Sequence, residues 1–128
     1  MKALSVQQPY ADKIIFRGKN IENRTWPTNF RGTVAIHASM NLHPDADELS
    51  DNKKKQLVRG AIIGVVDVVD CVDKHKSKWF QKGFIGFVLK NPRPLKKPIP
   101  CKGALNFWNV PPKIEREIKK QLKGKIKI

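Results

Sequence analysis

Ala61-Ile62-Ile63-Gly64-Val65-Val66-Asp67-Val68-Val69-Asp70 is the strongest strand signal in the chain. The run is apolar at both parities, which is the pattern of a strand covered on both faces, deep in a barrel or sandwich. Gly64 interrupts it and predicts a bend or bulge. Asp67 and Asp70 have opposite parity, so on a regular strand only one points inward. A buried carboxylate needs a partner, and an Arg or Lys across the barrel would supply it.

Shorter elements surround this strand. Residues 3–6 read as a first strand. A helix then begins near Pro9, buries Ala11, Ile14 and Ile15, and closes at Gly18 in a left-handed cap. Phe30-Arg31-Gly32 reads as a turn and residues 33–39 as a strand, with Val34, Ile36 and Ala38 on one face. Residues 42–58 hold Pro44, four acids and Lys53-Lys54-Lys55, a surface excursion expected to turn helical near its end. Residues 84–90 predict another strand and Asn91-Pro92-Arg93-Pro94 a turn. Pro98 and Pro100 make the next stretch extended but poor at ladder pairing. Residues 103–110 carry Leu105, Phe107 and Trp108. Residues 112–123 predict a terminal helix whose stripe is Ile114, Ile118 and Leu122. The tail 125–128 reads as an edge strand or a frayed end. Several short strands with two or three short helices make an α+β domain, a small mixed barrel.

Lys19-Asn20-Ile21-Glu22-Asn23-Arg24-Thr25-Trp26 sets the functional question. On an extended backbone Glu22 and Arg24 share a face. A Lys, a Glu and an Arg together can hold a polar ligand, or they can hold one another as a structural salt-bridge network. A lysine in such company can act as a base. The same three groups can read a nucleobase edge. Tyr10 and Trp26 flank the segment, and each could stack on a base or pack in the core.

The chain has 128 residues, enough for one domain spanning 1–128. Lys and Arg number 26 against 11 Asp and Glu, a net charge of +15. This excess points to a polyanionic partner, nucleic acid first. Cys71 and Cys101 lie far apart without metal-ligand spacing, which favours a reduced, cytoplasmic protein. No window reaches membrane-spanning length, and no secretory leader opens the chain. The phosphate-loop, nucleophile-elbow and His-Glu-x-x-His signatures are absent. No metal or cofactor is expected, and the expected form is a monomer. His37 sits mid-strand, where it is either a satisfied structural residue or a ligand group. His43 and His75 read as surface residues.

The ordered blocks Leu4-Ser5-Val6-Gln7-Gln8-Pro9-Tyr10-Ala11, Lys19-x-x-Glu22-Asn23-Arg24-Thr25-Trp26, Phe30-Arg31-Gly32, Ile36-His37-Ala38-Ser39, Gly64-Val65-Val66-Asp67, Asn91-Pro92-Arg93-Pro94 and Gly103-x-Leu105-x-Phe107-Trp108 resemble the ASCH domain family of the PUA-like superfamily. Two departures stand out. The family glycine two before the lysine is Arg17 here, with Gly18 one place later, and the family tryptophan after Gln-Pro is Tyr10. The resemblance implies a small PUA-like β-barrel with helices packed against it and a cleft lined by the Lys-x-x-Glu-x-Arg segment. It also implies RNA or a modified nucleoside as partner. In that reading Lys19, Glu22 and Arg24 form the floor, Tyr10 and Trp26 a wall, and Gln8 and His37 hydrogen-bonding positions.

Some ASCH-like proteins hydrolyse the acetyl group of N4-acetylcytidine with a Lys, a Thr nucleophile and a distant Glu. Lys19 matches the lysine, but Glu22 stands at the threonine position and Thr25 is out of register. Asp67 is the only guess for the distant carboxylate. Others have been regarded as ribonucleases. The chemistry thus divides between an RNA-binding module and a hydrolase using Lys19 and Glu22, and the residues alone leave open whether the chain is an enzyme.

Overall fold

The computed structural model describes residues 1–126. Six strands form one sheet: β1 (Lys2–Val6), β2 (Ile21–Arg24), β3 (Gly32–Ala38), β4 (Ala61–Val72), β5 (Ile85–Pro100) and β6 (Phe107–Asn109). The helices are α1 (Tyr10–Phe16), α2 (Asp51–Gln56) and α3 (Pro112–Gln121), with one 3-10 turn over Pro44–Glu48. The strand order is β2-β5-β4-β3-β1-β6. β1 runs parallel to β3, and every other pair is antiparallel. The sheet curls into a half-barrel, an α+β fold.

The curl comes from β4 and β5. Their register shifts between Ile62 and Gly64, between Val65 and Asp67, and between Val68 and Asp70. Each shift bends the ladder and adds twist. Gly64 sits at the first. A Cβ there would lie 2.8 Å from the Arg93 carbonyl and 2.8 Å from Ile15 Cδ1. The glycine therefore lets β5 and α1 close on β4 together.

Burial follows strand parity. On one face Leu4, Val6, Val34, Ile36, Val66 and Phe87 pack with Ala11, Ile14 and Ile15 of α1. On the other Ala3, Ala35, Ile62 and Val65 pack with Ile118 of α3 and with Leu122 just past its end, and Ile114 packs against them. Both helical stripes are those the spacing predicts.

One expectation needs correction. Asn91–Pro94 is not a turn, because β5 runs through it to Pro100. Asn91 takes a left-handed conformation (φ 54°) and bends the strand there. Beyond Val88 no β2 residue pairs with β5. Its prolines therefore stand where one edge has no strand to receive an N–H. Residues 103–110 contribute only the three-residue β6. Lys125 and Ile126 form turn and bend rather than strand, and residues 127–128 of that tail lie outside the described residues.

Asp67 finds the partners it requires. Its carboxylate accepts from Arg93 Nη2 at 2.5 Å, Thr33 Oγ1 at 2.8 Å and Asn91 Nδ2 at 3.1 Å. Burial alone would raise its pKa, but these hydrogen bonds hold it below the usual aspartate value. Asp70 is exposed.

Gly64→Ala should destabilise the fold by about 1–3 kcal/mol, because the new methyl overpacks a junction of backbone and core. Thermal unfolding checks this, and an unchanged Tm would show that β5 and α1 do not close on this point.

Candidate nucleic-acid interface

The cleft begins where α1 ends. Gly18 takes φ +74°, the left-handed position after the helix. The Lys19 amide then donates to the Lys13 carbonyl at 3.0 Å, fastening the chain as it turns into β2. Lys19 is 5% exposed and Glu22 7%. The Lys19 ammonium donates to the Ile21 carbonyl and to Glu22 Oε1, the latter at 3.4 Å. Arg24 Nε and Nη2 both reach Glu22 Oε2, at 2.9 and 2.8 Å. Nη2 also donates to the Ser5 carbonyl of β1 at 2.8 Å.

Glu22 is thus a carboxylate shared by two cations. Burial pushes the Lys19 pKa below the lysine value, the Glu22 charge pulls it back up, and Arg24 and Lys13 push it down again. Among the described residues Arg24 Nη1 meets no hydrogen-bond partner, so one edge of the guanidinium is left for a ligand.

These side chains form the floor of an open cavity of about 760 Å³. Tyr10 forms one wall. Its hydroxyl donates to Asp45, and this bond raises its pKa to about 12. His43 meets the ring edge-on at 4.9 Å. The 42–48 excursion therefore braces the wall.

Trp79 also lines the cavity, with Lys78 beside it. Asn23 fixes this loop: its amide donates to the Trp79 carbonyl at 3.0 Å and its carbonyl accepts from the Gln81 amide at 2.9 Å. Lys13 Nζ lies 5.1 Å from the Tyr10 ring centre and 5.8 Å from that of Trp79. Both aromatic rings thus lie beside a shared cation.

Lys19, Glu22, Arg24 and Tyr10 are brought together as the spacing suggests, and the other three candidates lie elsewhere. Trp26 packs edge-on against Phe87 and Phe107 and lines an adjoining groove. Gln8 is fully buried. Its side-chain carbonyl accepts from the Asp12 amide at 2.9 Å, and its amide donates to Asp12 Oδ1 and the Val58 carbonyl. It thereby caps a free N–H at the start of α1.

His37 lines the same groove as Trp26. Its Nε2 lies 2.6 Å from the Cys101 carbonyl, which can only accept, so Nε2 carries the proton. Nδ1 then accepts from the Ser5 hydroxyl at 3.1 Å, and that hydroxyl accepts from Trp108 Nε1 at 3.1 Å. Burial lowers the His37 pKa, in keeping with a neutral ring.

Asp67 lines a separate depression with Arg31 and Arg93, away from the cleft. Among the described residues no three His, Cys, Asp or Glu side chains gather around a common point to hold a metal ion. Among the described residues no helix is long and apolar enough to cross a membrane.

Sequence reasoning missed Lys13, Asn23, Lys78 and Trp79. Lys13 was legible one helical turn after Tyr10. The Lys78-Trp79 pair was legible as an aromatic within a lysine-rich stretch.

Glu22→Gln should lower the Lys19 midpoint further below the ordinary value, since it removes the charge that opposes burial. Heteronuclear NMR of the Lys19 side chain against pH measures this. An unmoved midpoint would show that Glu22 does not hold the ammonium.

Comparison with known proteins shows the family. Residues 4–105 match the ASCH domain model, a span that takes in most of β1, the cleft floor and the Trp79 loop. Activating signal cointegrator 1 of Mus musculus is 30% identical over 93% of this chain and 24% of its own length, and that of Homo sapiens gives the same figures. The chain spans about a quarter of the length of these relatives. With the family model matched across the whole cleft, the chain belongs to the ASCH domain family.

Proposed function

We propose that this ASCH domain binds single-stranded RNA, holding one base, plain or modified, between Tyr10 and Trp79. The observation that carries this reading is a floor of buried Lys19 and Glu22 with part-buried Arg24, lined by two aromatic rings that share the Lys13 cation. Glu22 retains acceptor capacity for an exocyclic amine, and the free edge of Arg24 suits a carbonyl or phosphate oxygen. Either ring would offer its face to a flat base, and stacking is worth about 1–3 kcal/mol per base. The net charge of +15 adds affinity for any phosphate backbone. Family membership supports a nucleic-acid ligand, and a reduced cytoplasmic monomer fits the reading.

Lys13 and Lys78 are the backbone contacts nearest the cleft. α3 packs on the other face of the sheet, and one of its lysines, Lys119, is paired with Glu115 at 3.1 Å. Fluorescence anisotropy with a short single-stranded RNA tests the assignment. Lys78→Glu should weaken binding of every sequence and lower the salt slope by about one. Lys120→Glu should weaken it less. Equal loss from both would mean that diffuse charge, not the cleft, binds the strand.

One observation favours a second reading, a hydrolase acting in the same cleft. Burial favours a neutral Lys19, the form a general base needs. Thr25 is exposed and does not line the cleft, so a water would have to serve as nucleophile. Incubating an RNA that carries one N4-acetylcytidine and following its mass decides between them. The binding reading predicts an unchanged mass. Loss of acetyl or a cut strand, abolished in Lys19→Ala, would make the protein an enzyme.

A further inference from the structure

A second cavity of about 960 Å³ adjoins the cleft, and the two share Ser5, Gln7 and Arg24 as a common wall. Its character is different. Trp26 lines it, with Met40 (64% exposed) and Leu105 (88% exposed). Two such exposed apolar side chains beside a half-buried indole mark a surface built for contact.

The floor of this groove is tightly closed. His37, Ser5 and Trp108 satisfy one another there, and a Cβ at Gly103 would lie 2.6 Å from both Ser5 Oγ and His37 Cε1. Gly103 thus lets the loop before β6 seal the polar network. The groove offers an occupant apolar contact above a floor whose hydrogen bonds are already satisfied. Lys102 adds a cation to its lining, and the unpartnered edge of Arg24 stands at the wall common to both cavities.

We propose that this groove holds the second base of the same RNA strand, with the intervening phosphate at Arg24. The inference rests on the cleft being a nucleic-acid site. Two consecutive nucleotides are apolar on their base faces and anionic at the link, which is the order presented here: aromatic cleft, guanidinium, apolar groove. The groove would accept any base, since it offers contact area rather than an edge to read.

Calorimetry with ribonucleotides of one, two and three residues, together with 19F NMR of protein carrying 5-fluorotryptophan, tests this on the full chain. Two residues should bind roughly tenfold tighter than one, the lower end of what one stacked base supplies. Leu105→Ala combined with Met40→Ala should remove most of that step, and both sites are exposed enough to spare the fold. The Trp79 resonance should move with ligands of any length, and that of Trp26 only from two residues onward. If Trp79 moves while Trp26 stays and the step is absent or survives the double variant, the groove assignment falls and the cleft reading stands. If no RNA moves Trp79, the cleft reading falls and takes the groove with it. Self-association through Met40 and Leu105, seen as a concentration-dependent mass, would make the groove a protein contact and overturn the proposal.

Discussion

The Glu22 carboxylate is the interaction on which the cleft depends. It sits buried between the Lys19 ammonium and the Arg24 guanidinium, and it alone offsets two charges withdrawn from water. Removing one partner of a buried pair costs about 3–5 kcal/mol, because the remaining charge has nowhere to go. The set also ties three elements together: the turn after α1 through Lys19, β2 through Glu22, and β1 through the Arg24 bond to the Ser5 carbonyl. Structural network and ligand site were alternative readings of the segment. The geometry shows the network, and it is compatible with a ligand site, because the ion pairs that fix the floor still leave acceptor capacity on Glu22 and donors on Arg24.

Around this floor the protein separates its two faces. α1 covers one face of the sheet and delivers Tyr10, Lys13 and Lys19 to the cleft. α3 covers the other and displays lysines to solvent. Cations thereby stand both at the cleft and on the far side of the sheet. Long-range attraction to a polyanion would draw on both, while selection of a base would draw on the cleft alone.

Much of this was legible because it depends on local periodicity. The stripes Ala11-Ile14-Ile15 and Ile114-Ile118-Leu122, the apolar β4 and the shared parity of Glu22 and Arg24 all follow from spacing within one element. The β5 bend was misread as a turn because Asn-Pro-Arg-Pro has turn composition. Only the missing neighbour beyond Val88 shows why prolines can continue a strand there. Gln8 and His37 have the chemistry of ligand groups, yet long-range partners, Val58 and Cys101, engage them. Trp79 joins Tyr10 only because Asn23 fastens a loop more than fifty residues away. Such contacts leave no trace in spacing.

The central claim, that the polar floor and its aromatic walls are where RNA binds, is tested most directly by mapping amide shifts of the 15N-labelled protein against a short single-stranded RNA at moderate salt. The account predicts perturbations over residues 10–24 and 77–81, with the α3 amides little changed. Perturbations confined to residues 113–125, with Lys19, Arg24 and Trp79 unmoved, would contradict it.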